Sequence, residues 1–134
     1  MRHAILIAIL TACAVTVWSN YGWALNCSNP QTQMEMNQCA QDKWQEADAA
    51  LNAAYKSART FFKNQDESQP DNAKVAAAAL LAAQRSWIGF RDAHCETEGF
   101  KYFGGSMRPM IIATCMEDLT RQRTKQLKAL VVEP

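Results

Sequence analysis

The run Gln84-Arg85-Ser86-Trp87-Ile88-Gly89-Phe90-Arg91-Asp92-Ala93-His94-Cys95 constrains this chain more than any other stretch. Gln84, Trp87, Arg91 and Cys95 fall at helical spacing, so they share one face of a helix. A tryptophan and a cysteine on that face predict burial. A glutamine and an arginine beside them predict that the buried layer contains a polar network, because unpaired polar groups are costly to desolvate. None of the four is a nucleophile next to a base. The segment therefore reads as a structural element.

The first residues read as an export signal: Met1-Arg2-His3 is a short basic start, Ala4 to Val17 is apolar, and Gly22-Trp23-Ala24 places small residues at the cleavage-site positions. Cleavage after Ala24 is expected, which puts the signal peptide at 1–24 and the domain at 25–134. A rival reading takes Leu10-Thr11-Ala12-Cys13 as a lipoprotein processing site with Cys13 lipidated, but the residues that follow Cys13 stay apolar. No segment has the length and flanks of a membrane span. The expected location is the periplasm or the medium, with anchoring at Cys13 as the alternative.

Removing the leader leaves Cys27, Cys39, Cys95 and Cys115, an even set in a small exported chain, and so predicts two disulfides. No C-x-x-C pair exists and His94 adjoins Cys95, which disfavours zinc. Lys plus Arg number 14 against 13 acidic residues over the whole chain, and losing Arg2 brings the two into balance. A neutral domain lacks the basic excess of a nucleic-acid binder. No nucleophile–base pair, metal site or phosphate loop is legible, so neither an enzyme nor a cofactor is expected.

The fold class that follows is all-α, a long antiparallel helical hairpin with a third helix packed on it. The first helix is predicted from a capping box, Thr32-x-x-Glu35, to about Lys63, with Met36, Cys39, Ala40, Trp44, Ala47, Leu51, Tyr55, Ala58 and Phe62 on one side. A polar loop from Asn64 to Asn72 follows. The second helix is expected from Asp71 or Asn72, through the alanines of 76–79, to Glu98-Gly99, with Gly99 as a C-terminal cap. The third begins near Pro109 and carries the stripe Ile112, Cys115, Leu119, Arg123, Leu127 and Leu130. Counting from these ends puts Cys39 and Cys95 each about 35 Å from the hairpin loop. That favours Cys39–Cys95 with Cys27–Cys115, and Cys27–Cys95 with Cys39–Cys115 also fits.

Asp48 and Asn52 sit one turn apart on the first helix, Gln84 and Arg91 on the buried face of the second, and Arg123 interrupts the stripe of the third. The preferred reading is an interhelical network in which Asp48 neutralises an arginine and the amides satisfy the rest. The competing reading makes Asp48 an acid or base, but no second carboxylate or histidine is placed beside it.

Taken together, Cys27, Thr32-x-x-Glu35-Met36-Asn37-x-Cys39, Ala47-Asp48-x-x-Leu51-Asn52-x-x-Tyr55, Gln84-Arg85-x-Trp87-Ile88-x-Phe90-Arg91-Asp92-Ala93-x-Cys95, Gly105-Ser106, and Cys115 with Leu119-Thr120-x-x-Arg123-x-x-x-Leu127 resemble the LprI-like lysozyme-inhibitor family. The resemblance spans about Cys27 to Leu130. It implies a small, exported, helical, disulfide-stabilised envelope protein whose partner is another protein, with lysozyme as the namesake target. A lysozyme cleft holds two catalytic carboxylates. The segment Phe100 to Arg108 is the candidate inhibitory loop: Ser106 to hydrogen-bond a carboxylate, Lys101 or Arg108 to pair with one, and Tyr102 or Phe103 to fill a sugar subsite. Lysozymes are commonly basic, and acidic faces at Asp42, Glu46 and Asp48, or at Asp92, Glu96 and Glu98, would steer them. The alternative is an envelope binding or immunity-like protein for another secreted protein or a cell-wall fragment.

Overall fold

The computed structural model describes residues 25–132; the expected signal peptide at 1–24 and Cys13 lie outside them. Helix α1 runs from Gln33 to Glu67, α2 from Ala76 to Phe100 and α3 from Arg108 to Ala129, with a single 3-10 turn at Asp71–Ala73 between α1 and α2. No strand occurs among the described residues. None of the described helices is long and apolar enough to cross a membrane.

The start of α1 is the predicted capping box. The Thr32 hydroxyl accepts from the Glu35 amide at 3.2 Å, and the Glu35 carboxylate accepts from the Thr32 amide at 2.9 Å. Backbone donation from Gln31 and Thr32 holds the Glu35 carboxyl below its usual range. The far end of the hairpin departs from expectation. Helix α1 continues four residues past Lys63, and α2 begins at Ala76 rather than at Asp71 or Asn72. Val75 occupies the N-cap of α2 and has no side chain able to cap. Asp66 supplies the cap from the opposite helix, its two carboxylate oxygens accepting from the amides of Ala76 at 3.0 Å and Ala77 at 2.9 Å. Free amides at a helix start favour such an anion.

The third helix is the centre of the packing. It lies against both others and pairs most extensively with α1, to which it runs parallel, while α1 and α2 touch least. The seam with α1 is built on small residues: Ala40, Ala47, Ala54 and Ala58 are buried on α1, opposite a helix whose buried set is Ala113, Cys115, Met116, Thr120, Thr124 and Leu127. The expected α3 stripe captures Cys115 and Leu127 of that set and misses the rest, and Leu130, its last member, is exposed. The helix has two working faces, one for each neighbour, and a single periodic stripe describes only one of them. The apolar core divides accordingly: Leu51, Ala54, Ala58, Leu80 and Leu127 at one end, and Cys95, Cys115 and Met116, flanked by Trp44, Ile112 and Leu119, at the other.

Gly99 lies inside α2 and is buried there, so it is not the expected C-cap. Its role is close approach: a Cβ at that position would run into the Ile112 side chain, so the glycine lets α2 and α3 meet there without displacing it.

The disulfides are Cys27–Cys39 and Cys95–Cys115. This corrects both expected pairings, and the shifted helix ends explain why Cys39–Cys95 does not form. Arg91 pairs with Asp48 across the hairpin, and Cys95 packs level with Trp44. Cys39 therefore sits five residues, about 7 Å of helix rise, beyond Cys95, too far along the axis for a bridge whose Cα atoms lie 5.5 Å apart. Cys95 instead bonds α3 directly. The segment before α1 turns back through hydrogen bonds from Cys27 to Leu25 and Asn29 to Asn26, which brings Cys27 over the first turns of α1.

Candidate functional site

Two groups of side chains stand out. The first is the interhelical polar layer. Arg91 is 7 % exposed and donates to Asp48 at 3.3 Å, to Asp92 at 2.9 Å and to the Thr120 hydroxyl at 3.2 Å. Its guanidinium also lies between two indoles, 5.1 Å from the Trp87 ring centre and 5.8 Å from that of Trp44. Asn52 donates to the other oxygen of Asp48 at 3.0 Å. Gln84 and Arg123 form a separate pair at 3.1 Å, extended by Gln126 at 3.2 Å. The five residues singled out in the sequence thus form two clusters, Asp48–Asn52–Arg91 and Gln84–Arg123. Asp92, Thr120, Gln126 and the two tryptophans complete them. Thr120 and Thr124 lie four apart on α3 with Met116 one turn earlier, a spacing that marks a buried polar face once two stripes are sought.

The chemistry of this layer is that of a clamp. Asp48 is held between the Asn52 amide and the Arg91 guanidinium, each of its oxygens accepting one hydrogen bond in the interhelical network. His94 and Glu98 approach at 3.3 Å, and Cys115 brings a third ligand-type atom within 4.8 Å. The Cys115 sulfur is bonded to Cys95, so the three do not make a metal-binding set in the oxidised protein.

The second group is the α2–α3 connection. Successive turns lock it: Lys101 donates to Glu98, Tyr102 to Gly99, Phe103 to Phe100, Gly105 to Tyr102 and Arg108 to Gly105. Gly104 has φ +76°, a left-handed conformation that lets the chain reverse. The Asn37 side chain on α1 donates to the Ser106 carbonyl at 3.0 Å and ties the loop to the bundle. Phe103 is 75 % exposed and Phe100 69 %, and Lys101, Tyr102 and Ser106 also face solvent. Arg108 differs from the other candidates: it is half-buried and its guanidinium is engaged by Glu96. Glu96, Thr97, Phe100, Phe103 and Arg108 line an open hollow of 360 Å³ beside the loop. Thr97 is not a sequence candidate, and Glu96 is one only as part of an acidic face; both lie on the last turns of α2 and join the loop through the fold.

The expected acidic faces are largely answered from within. Glu46 and Glu117 approach Arg121, Asp48 and Asp92 share Arg91, Glu96 pairs with Arg108, and Glu98 approaches His94.

The model of the lysozyme inhibitor LprI family matches residues 26–127, the whole of the three-helix unit except the last two residues of α3. The chain belongs to the LprI family. A relative in Rhizobium meliloti (strain 1021), described only as uncharacterised, is 41 % identical over 109 residues, covering 79 % of this chain and 78 % of the other. No solved structure shows significant similarity to this chain. The LprI name describes inhibition of lysozyme, and it attaches to a chain of three helices and two disulfides.

Proposed function

We propose that this protein, after export and removal of residues 1–24, binds a lysozyme directly and inhibits it with the α2–α3 loop. The family supports the activity. The observation that carries the choice of surface is the loop itself, a hydrogen-bonded reversal that presents Lys101, Tyr102, Phe103 and Ser106 to solvent. A loop already locked loses little conformational freedom on binding, and exposed aromatics are the usual anchors of a protein interface. Lys101 has no salt-bridge partner among the described residues and is the cation suited to a catalytic carboxylate. Arg108 serves instead to brace the loop base through Glu96. Phe103 and Tyr102 would occupy apolar subsites in the cleft, and Ser106 would donate from a position held by Asn37. Because most acids of the expected faces meet a cation, loop shape rather than long-range steering carries recognition in this reading.

The test is lysis of cell-wall substrate by animal-type and goose-type lysozymes in the presence of oxidised residues 25–134. Stoichiometric inhibition of one of them is expected. The double substitution Tyr102→Ala, Phe103→Ala should weaken it by about thirtyfold, the scale of lost aromatic anchors, with the helical circular dichroism unchanged. Absence of inhibition at micromolar protein with both disulfides intact would sink the lysozyme reading. Full inhibition by the double variant would remove the loop from it.

A further inference from the structure

A second surface, remote from the α2–α3 loop, lies at the hairpin end of the bundle. Phe62 of α1, Ala76, Ala79, Leu80 and Ala83 of α2 and Leu130 just past α3 line an open groove of 360 Å³, with Arg123 among them. That volume falls in the range of small-molecule clefts, about 300–1,000 Å³. The groove exists because the alanine-rich start of α2 puts methyl groups where larger side chains would fill the space. Ala79 and Ala83 remain exposed rather than packing a neighbouring helix.

Arg123 is what makes the groove specific. Three arginines of the described residues are buried or half-buried: Arg91, Arg108 and Arg123. Arg91 is bonded to Asp48 and Asp92, and Arg108 to Glu96. Arg123 is held only by neutral amides, Nε to Gln84 at 3.1 Å and one terminal nitrogen to Gln126 at 3.2 Å, with no carboxylate partner among the described residues. Burial also pushes its guanidinium below the usual range, as expected of a cation partly stripped of water without an anion in exchange. Five donors in a planar fork leave several free to meet an oxyanion.

We propose that this groove binds a long-chain fatty acid, its carboxylate on Arg123 and its acyl chain along the Phe62–Leu80–Leu130 walls. The walls decide between an acyl chain and a peptide. They are helix side chains without polar atoms, and the backbone groups behind them are spent within the helices. A peptide would bring amides that find no partner there, at a desolvation cost an acyl chain does not incur. Fatty-acid binding here is independent of lysozyme inhibition, since the groove and the α2–α3 loop share no residue.

The test is titration of the purified oxidised protein with a dansyl-labelled long-chain fatty acid below its micelle concentration, with displacement by laurate and by dodecanol. Saturable one-to-one binding is expected, displaced by laurate at far lower concentration than by dodecanol. Arg123→Gln should weaken it about tenfold or more, the worth of a charge-assisted hydrogen bond, and Arg123→Lys should retain most of it. Ala83→Leu, a conservative change on an exposed helix position, should block the groove without harming the fold, as circular dichroism would register. Non-saturating uptake, equal displacement by the alcohol, or undiminished binding by Arg123→Gln would each overturn the assignment. So would tighter capture of a peptide C-terminus than of laurate.

Discussion

Asp66 shows how a single side chain can act outside its own element. The second helix starts with Val75-Ala76-Ala77-Ala78, a sequence with high helix propensity and no means of satisfying its first amides. Asp66, the next-to-last residue of α1, accepts from two of them across the hairpin. Asp66→Ala is therefore expected to cost about 1 kcal/mol, as loss of an N-cap does, measured as a lower urea midpoint with an unchanged slope. A midpoint equal to that of the unaltered protein would show that water caps α2 as well as the carboxylate does. Arg91 illustrates the same lesson inside the bundle. Its position on a buried face was legible at offset seven from Gln84, and so was the need for a carboxylate. Its sandwich between Trp44 and Trp87 was not, because one indole comes from another helix.

At the scale of elements, the helices themselves were legible to within a few residues, since long amphipathic periodicity is a strong local signal. Their ends at the hairpin were not, because the polar run 64–72 leaves the last turn of α1 and the first of α2 to tertiary contacts. That shift of four residues at each side moved Cys95 out of level with Cys39 and removed the ground for pairing them. Gly99 was misread for a related reason. Glycine near a helix end suggests a cap, whereas here α2 continues and the glycine admits Ile112. Gly99→Ala should clash with Ile112 and destabilise the domain by about 1–3 kcal/mol, the cost of overpacking. Ile112→Val in the same chain should recover part of the loss by removing a methyl at the contact. A Gly99→Ala protein as stable as the parent, by denaturant titration, would mean that α2 and α3 can separate there freely.

For the whole molecule, the two disulfides divide the labour. Cys27–Cys39 pins the entry segment to α1, and Cys95–Cys115 joins α2 to α3 across the loop proposed to contact lysozyme. The second closes a loop of 20 residues and should contribute about 3 kcal/mol by restricting the unfolded chain. Replacing both Cys95 and Cys115 by serine should lower stability by that amount and loosen the 100–108 segment, read as faster amide exchange there than at the α1–α3 seam. Equal exchange across the bundle would indicate that packing alone holds the loop. The fold survives such a change in principle because α3 is anchored to α1 along its length by interdigitated small residues, with Leu127 and Thr120 fully buried.

Sequence alone determined that the described chain is helical, that Gln84, Trp87, Arg91 and Cys95 face inward, that Thr32 and Glu35 start the first helix, and which family the motifs resemble. Each of these depends on residues near one another in the chain, where period, capping chemistry and residue type suffice. Tertiary structure decided the cysteine pairing, the two working faces of α3, the division of the polar layer into two clusters, and the cations that meet most acids of the expected acidic faces. It also left Arg123 in an apolar groove with only amides for partners. These outcomes depend on the axial offset and rotation of one helix against another, and an offset of a few residues, invisible to local periodicity, changes every contact across the interface.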